Sequence, residues 1–255
     1  MALIKTPKEI QALNEGGRIL AEVLALVSSA VKVGVTTWEL EEIARREIKK
    51  RGATPSFLGY QNMPGVVPFP SALCTSVNQE VVHCFPSKKT ILKEGDIIGL
   101  DLGVKYKNLY TDAAVTVGVG KVGKLQQKLI DNTREALASG IKQAKAGGTV
   151  GDIASAIESV AKRGGFAPIR DLVGHGVGHE VHEDPYVPNY GKAGTLDKLR
   201  IGMVIAIEPM FTTGTHQIVF QDNTWGVETA DSSLAAHFEH TVAITEDGPL
   251  ILTKI

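Results

Sequence analysis

A long-range internal repeat constrains this chain more than any other feature. Lys32-Val-Gly-Val-Thr36-Thr-Trp-Glu39-Leu40 is echoed 113 residues later by Lys145-Ala-Gly-Gly-Thr149-Val-Gly-Asp152-Ile153. In each copy a Thr stands three residues before an acid, the capping box that starts a helix. The first copy continues as a helical pattern through Leu40, Ile43, Ala44 and Ile48 to Arg51-Gly52, and the second runs to Arg163-Gly164. A longer amphipathic helix precedes each. The first opens at Thr6-Pro7-Lys8-Glu9, with Pro in the first helical position, and spaces Ile10, Leu13, Leu20, Leu24, Val27 and Val31 along one face. Leu125, Leu129, Thr133, Leu137 and Ile141 mark the second. Each copy is followed by a Gly-led apolar strand with an acid six residues after the glycine: Gly95-Asp-Ile-Ile-Gly-Leu-Asp101 and Gly202-Met-Val-Ile-Ala-Ile-Glu208. The period is too long for a solenoid. No linker-like stretch intervenes, so the expectation is a single α+β domain over 1–255, with halves of about 1–120 and 121–255 sharing one sheet.

Composition narrows the function classes. Hydrophobic residues at 43% and charged residues at 22% are ordinary for a globular chain. Lys and Arg total 27 against 28 Asp and Glu, so no basic field favours nucleic acid. Cys74 and Cys84 cannot form a disulfide framework, which suits a reducing compartment. The most apolar early stretch, Ile19 to Val31, is interrupted by Glu22 and is too short and charged to span a membrane. No small-residue cleavage pattern follows it. The expectation is a cytoplasmic protein without a membrane or nucleic-acid partner.

Acids inside apolar strands need a reason, because an unpaired buried carboxylate is costly. Asp101 lies in Ile97-Ile98-Gly99-Leu100-Asp101-Leu102-Gly103-Val104, and Asp112 lies in the next strand, Leu109 to Val117. If these strands pair as a hairpin around Lys107-Asn108, Asp112 opposes Gly103 and Asp101 opposes Ala114. Both carboxylates then share a face as diagonal neighbours. Any even-length loop preserves this; an odd one breaks it, and two exposed strand acids are the bland alternative. Glu208 ends Val204-Ile205-Ala206-Ile207, and Glu239 lies in His237-Phe238-Glu239-His240-Thr241-Val242. Between Asp112 and Glu208, Gly174-His175-Gly176-Val177-Gly178 lets backbone approach a site closely. Four carboxylates and one imidazole suit hard or borderline divalent ions better than a closed zinc site. Four negative charges also balance two such ions with a hydroxide between them, the arrangement of two-metal hydrolysis.

Taken together, Asp101-x10-Asp112, Gly-His175-Gly-Val-Gly, Ile-Glu208-Pro-Met and Phe-Glu239-His-Thr resemble the pita-bread metallopeptidases, above all the type I methionine aminopeptidases. The resemblance runs from Ile4-Lys5-Thr6-Pro7-Lys8-Glu9 to Glu246-Asp247-Gly248. It implies a pita-bread fold with a curved antiparallel sheet and two divalent ions (Co, Mn, Fe or Zn). It further implies removal of initiator methionine from nascent chains before a small second residue. The substrate would be the amino end of a polypeptide met at the ribosome, and the protein a monomer. By the same resemblance Asp101 would hold one metal and His175 with Glu208 the other, with Asp112 and Glu239 bridging. Glu208 would also act as general base. His83, in Val82-His83, resembles the histidine that contacts substrate near its amino end. His182, in Val181-His182-Glu183-Asp184-Pro185, resembles the one that binds the scissile carbonyl and stabilises the oxyanion. Phe57, Tyr60, Cys74 and Trp225 resemble the walls of the methionine pocket.

The chain departs from the family pattern near that pocket. Cys84 follows His83 where Gly is usual, and Phe57 stands where a smaller residue, often Cys, is common. The segment Gln61 to Leu73, with Pro64, Pro68 and Pro70, reads as longer than the usual loop. His179, His216 and His237 read as surface or rim residues, and His240 as secondary. Gly118-Val-Gly120-Lys-Val-Gly123 satisfies Gly-x-Gly-x-x-Gly, but no acid-ended strand follows about 20 residues on, so a glycine-rich connection is the better reading. The competing functions are an Xaa-Pro aminopeptidase or dipeptidase of the same fold, and a metal-free binding relative. Phe238-Glu239-His240-Thr241 speaks against the first, the intact ligand set against the second.

Overall fold

Helices α1 (Pro7–Ser29), α2 (Thr37–Lys50) and α4 (Val150–Gly164) begin at the capping boxes. The Glu9, Glu39 and Asp152 carboxylates accept the N–H groups of Thr6, Thr36 and Thr149 at 2.7, 2.7 and 2.8 Å. Helix α3 (Lys124–Gln143) starts after Gly123 without a side-chain cap. This computed structural model describes residues 4–61 and 65–254; Pro64 of the loop beside the pocket lies outside them.

The repeat is visible in hydrogen bonds as well as residues. Gly34 donates its N–H to the Leu92 carbonyl, and Gly147 donates to that of Leu199, both at 2.9 Å. Both glycines have positive φ, 88° and 84°, the backbone geometry that explains why glycine recurs at this point. Thr36 bridges Ile91 as Thr149 bridges Lys198. One half carries a four-stranded antiparallel sheet of Thr54–Pro55, Leu73–Val77, Ile97–Tyr106 and Leu109–Gly118. The other carries a five-stranded sheet containing Gly174–Gly176, Glu183–Val187, Val204–Ile207, His240–Thr245 and Gly248–Ile251. Leu20, Leu40 and Ile48 of α1 and α2 pack on Ile98, Leu100, Leu102 and Val104. Leu129, Ile153 and Ile157 of α3 and α4 pack on Ile205, Ile207 and Phe211. Strand alternation then turns Asp101, which lies between Leu100 and Leu102, to the face away from its helices.

The hairpin has the parity that joins the acids. Asp101 pairs with Ala114 and Gly103 with Asp112. Lys107 and Asn108 both have positive φ, 50° and 62°, as a two-residue hairpin turn of matching twist requires.

The two halves meet along a seam. Ala114 and Glu239 exchange backbone bonds, with the Glu239 N–H donating to the Ala114 carbonyl at 2.9 Å. On one flank the Thr116 hydroxyl donates to the His237 carbonyl at 2.8 Å and accepts the His237 N–H at 2.9 Å. On the other, the Thr241 hydroxyl bonds the Asp112 carbonyl at 2.7 Å and N–H at 2.9 Å. Thr116 and Thr241 are thus equivalent under the pseudo-symmetry, and so are Asp112 and His237. The seam brings together two carboxylates from opposite halves, Asp112 on its strand and Glu239 in the short link between Ala235–His237 and His240–Thr245.

Glu41 of α2 anchors the pocket wall. Its buried carboxylate accepts the N–H groups of Ala72 and Leu73, each at 2.8 Å, fixing the strand that carries Cys74. The glycine-rich connection before α3 is filled by the chain's own acid: Glu94 accepts the Lys121 N–H at 2.6 Å and packs against Gly120. That carboxylate disfavours phosphate there.

Candidate metal centre and active site

One cavity of about 340 Å³ gathers residues from both halves. Its walls include Asp101, Asp112, His175, Glu208 and Glu239, together with His83, His182, Phe57, Tyr60, Cys74 and Trp225. Sidechain atoms of Asp112, His175 and Glu239 lie within 4.8 Å of one another. His175 Nε2 is 3.5 Å from Glu208 Oε1.

The electrostatics of this cluster call for a cation. Burial, reinforced by neighbouring carboxylates, pushes Asp101 and Glu239 well above the usual carboxylate range. Burial, with the Glu208 charge beside it, raises Asp112 to about 7, and burial raises Glu208 to about 8. Four acids this close cannot all ionise without compensating positive charge. Asp101 Oδ1, Asp112 Oδ1 and Glu239 Oε1 are buried and have no hydrogen-bond partner. Burial lowers His175 to about 3, so its ring is neutral. Its Nδ1–H donates to the Gly176 carbonyl at 2.9 Å, which leaves the Nε2 lone pair bare, as a metal-ligating histidine requires. Orphaned oxygens and a bare imidazole nitrogen converging on one point fit a divalent-metal site.

The raised carboxylates predict an unusual pH dependence for metal-free protein. Native Asp112 and Glu208 hold protons that the unfolded chain has already released, which costs stability as pH rises from about 4 towards 8. Below about pH 6.5 the buried neutral His83, His175, His237 and His240 oppose this, because their unfolded counterparts are protonated there. Thermal melts of the metal-free protein should therefore show Tm dropping between about pH 6.5 and pH 8. Added divalent ion should remove that slope, whereas a flat or rising Tm without metal would contradict the cluster's electrostatics.

The cavity wall beside the cluster is aromatic. Phe57, Phe69, Cys74, Val181 and Trp225 form one buried cluster, with Tyr60 and Phe85 against it. Phe69 meets Trp225 edge-on at 5.3 Å between ring centroids. The Trp225 Nε1–H donates to the Val67 carbonyl at 2.7 Å, tying the long loop to the pocket wall. At the mouth, the Tyr60 hydroxyl lies 2.8 Å from His182 Nδ1. Burial lowers His83 to about 4, so its ring is also neutral. His83 has a φ of 59°, and the Cys84 that follows it is buried behind the pocket.

One placement differs from expectation. His237, read from sequence as a surface or rim residue, is buried, with Nε2 at 3.5 Å from Glu208 Oε2 and no hydrogen-bond partner of its own. Its burial follows from the seam, where Thr116 grips its backbone. His179 stands at the rim against Glu9 at 2.7 Å, and His240 bonds Thr253 at 2.9 Å. Phe69, Val82, Leu172, Val173, Tyr186 and Met210 also line the cavity. Val82 and Met210 stand in the Val82-His83 and Ile-Glu208-Pro-Met motifs, and Phe69 lies between Pro68 and Pro70 of the long loop, whereas no motif marks Leu172, Val173 or Tyr186.

An antiparallel two-half fold that gathers buried acids in need of divalent cations beside an aromatic wall is the architecture of a metallopeptidase. The chain belongs to Metallopeptidase family M24, whose profile matches residues 11–246. It is similar to a methionine aminopeptidase of Aquifex aeolicus, with 49% identity over 252 residues, 97% of each chain. It is also similar to the crystal structure of methionine aminopeptidase from Thermotoga maritima, with a TM-score of 0.96 and 44% identity over 100% of both chains. A prolidase from Pyrococcus furiosus shares the fold at a TM-score of 0.77 and 25% identity, but this chain covers only 66% of it. The arrangement is the pita-bread fold, and membership of the family carries a divalent-metal site with it.

Proposed function

We propose that this cavity removes the N-terminal methionine from polypeptides by hydrolysis at two divalent ions. The observation that carries the reading is the aromatic wall lying beside the acid cluster in one cavity. A terminal side chain seated on that wall presents the first peptide bond to the cluster. Methionine's unbranched thioether suits aromatic and sulfur-bearing walls such as Phe57, Phe69, Cys74 and Trp225. Asp101, His175 and Glu208, with Asp112 and Glu239 between them, would hold the ions. When bound, such ions supply Lewis acidity and water ionised near neutral pH. The oxygen-rich set favours Mn, Fe or Co.

The protein's own groups do the rest. Glu208 takes the proton of the attacking water and passes it to the departing amine. The Tyr60 hydroxyl donates to His182 Nδ1, which fixes the proton on Nε2; that N–H donates to the scissile carbonyl oxygen as negative charge develops there. Neutral His83 bonds the substrate near its amino end. Because both halves supply ligands, the chain acts as one catalytic domain whose halves, about 1–120 and 121–255, do not work apart. Among the described residues no helix is long and apolar enough to cross a membrane. A monomer in the cytoplasm, meeting nascent chains at the ribosome, fits this role.

Substrate choice tests the proposal. Met-Ala-Ser should be cleaved far faster than Met-Lys-Ser, because the second side chain passes close to the metal floor, and Ala-Pro-Ser should be refused. Preference for Ala-Pro-Ser would move the activity to the Xaa-Pro type. Equal cleavage of the two methionyl peptides would mean that the long loop has opened the site, removing the small-residue preference.

A further inference from the structure

His182 ends a turn, residues 178–182, that belongs to no helix or strand. Its position has to be fixed by contacts from outside the turn. The N–H groups of His179 and Glu180 both donate to one carboxylate oxygen of Glu183, at 2.6 and 3.0 Å. The other oxygen of Glu183 pairs with Lys5 Nζ, and both side chains are buried. Lys5 comes from the segment before α1. Its backbone N–H donates to the Gly202 carbonyl at 2.7 Å, and its side chain lies where any Cβ on Gly178 would collide. Glu9, in the first turn of α1, bonds His179 Nε2 at 2.7 Å from the same side. From this turn the His182 ring reaches the cavity, 4.3 Å from the His175 ring between centroids.

We propose that the buried Lys5–Glu183 ion pair is a positioning device for His182: the amino-terminal segment sets the catalytic turn from behind. The inference rests on His182 acting at the scissile carbonyl. A buried ion pair gains little net stability over apolar residues of similar size, because both charges lose their hydration. What this pair supplies is geometry. Glu183 spends one oxygen on Lys5 and the other on the turn's two N–H groups, so the turn is held at a fixed distance from a buried, immobile cation. Misplacement of a catalytic group by about 1 Å costs on the order of 10²-fold in rate. Lys5 and Glu183 touch no substrate and are positioning residues.

The test uses the full-length, metal-loaded protein with Met-Ala-Ser. Lys5→Met and Glu183→Met should each lower kcat roughly 10- to 100-fold with KM little changed. The Lys5→Met/Glu183→Met pair removes both charges and should regain thermal stability without regaining kcat. Should a single variant fail to fold, this pair carries the comparison alone. The decisive step introduces the same pair into His182→Ala. If the ion pair acts through His182, it costs less than about two-fold further in that background, whereas independent sites would multiply. Recovery of wild-type kcat in the pair, or the same fold loss with and without His182, overturns the proposal. Failure of the unaltered protein to cleave Met-Ala-Ser would count against the peptidase reading instead, so the two failures are distinguishable.

Discussion

Chelation of the protein is expected to abolish peptide cleavage, and a divalent transition metal to restore it. The four acids have raised pKa values in the absence of cations, and three of their oxygens have no protein partner. Cys74, the thiol in the cavity wall, is held protonated by burial and the neighbouring acids, so it is no competing nucleophile. The same logic separates two histidines. His175 offers a bare Nε2 to the cluster, so His175→Ala should weaken metal affinity beyond the 10- to 100-fold typical of residues that only orient a ligand. His179 faces Glu9 instead, so His179→Ala should leave metal content unchanged. Equal metal loss in the two variants would show that the wrong histidine has been assigned to the centre. Metal binding should also release protons near pH 7, since Asp112 and Glu208 are partly protonated there without it. Calorimetric titrations in buffers of different ionisation enthalpy would measure that release.

Loss of His182 should be the largest effect of any residue outside the metal ligands. A missing oxyanion donor costs on the order of 10²–10³ in kcat in other enzymes. His182→Ala should fall in that range with KM little altered, because the bond strengthens only as charge develops on the carbonyl oxygen. Both ions should remain bound. Near-normal kcat in a fully metallated His182→Ala protein would remove His182 from the mechanism. Tyr60→Phe should show a smaller loss of the same kind, since it removes the hydroxyl that fixes the ring's proton.

Much of the site was legible because local chemistry decides it. Lys107-Asn108 tolerates the two positive φ values of a two-residue turn, and an even loop puts Asp101 and Asp112 on one face. Thr-x-x-acid caps and recurring glycines exposed the two halves for the same reason: each is dictated by backbone geometry within a few residues. The fate of His237 was not legible that way. It is buried by a seam with Thr116, 121 residues away, and flanking Ala-Ala and Phe-Glu-His give no hint of it. Pocket walls such as Leu172, Val173 and Tyr186 have no periodic or motif signal either, because only tertiary packing brings them to the cavity. Nothing in the sequence around Glu41 on α2 marks it as buried, yet its carboxylate lies under the N–H groups of Ala72 and Leu73. Its burial depends on a strand that begins roughly thirty residues later.

On the proposed function, the cavity grips a free amino-terminal methionine and hydrolyses the bond that follows it. The most direct measurement compares Met-Ala-Ser with its N-acetylated form on metal-loaded protein, with products followed by mass spectrometry. Free methionine and Ala-Ser are expected from the first peptide and no cleavage of the second, because acetylation removes the free amino end that the site recognises. Cleavage of the acetylated peptide at a comparable rate, or release of any first fragment other than methionine, would contradict it.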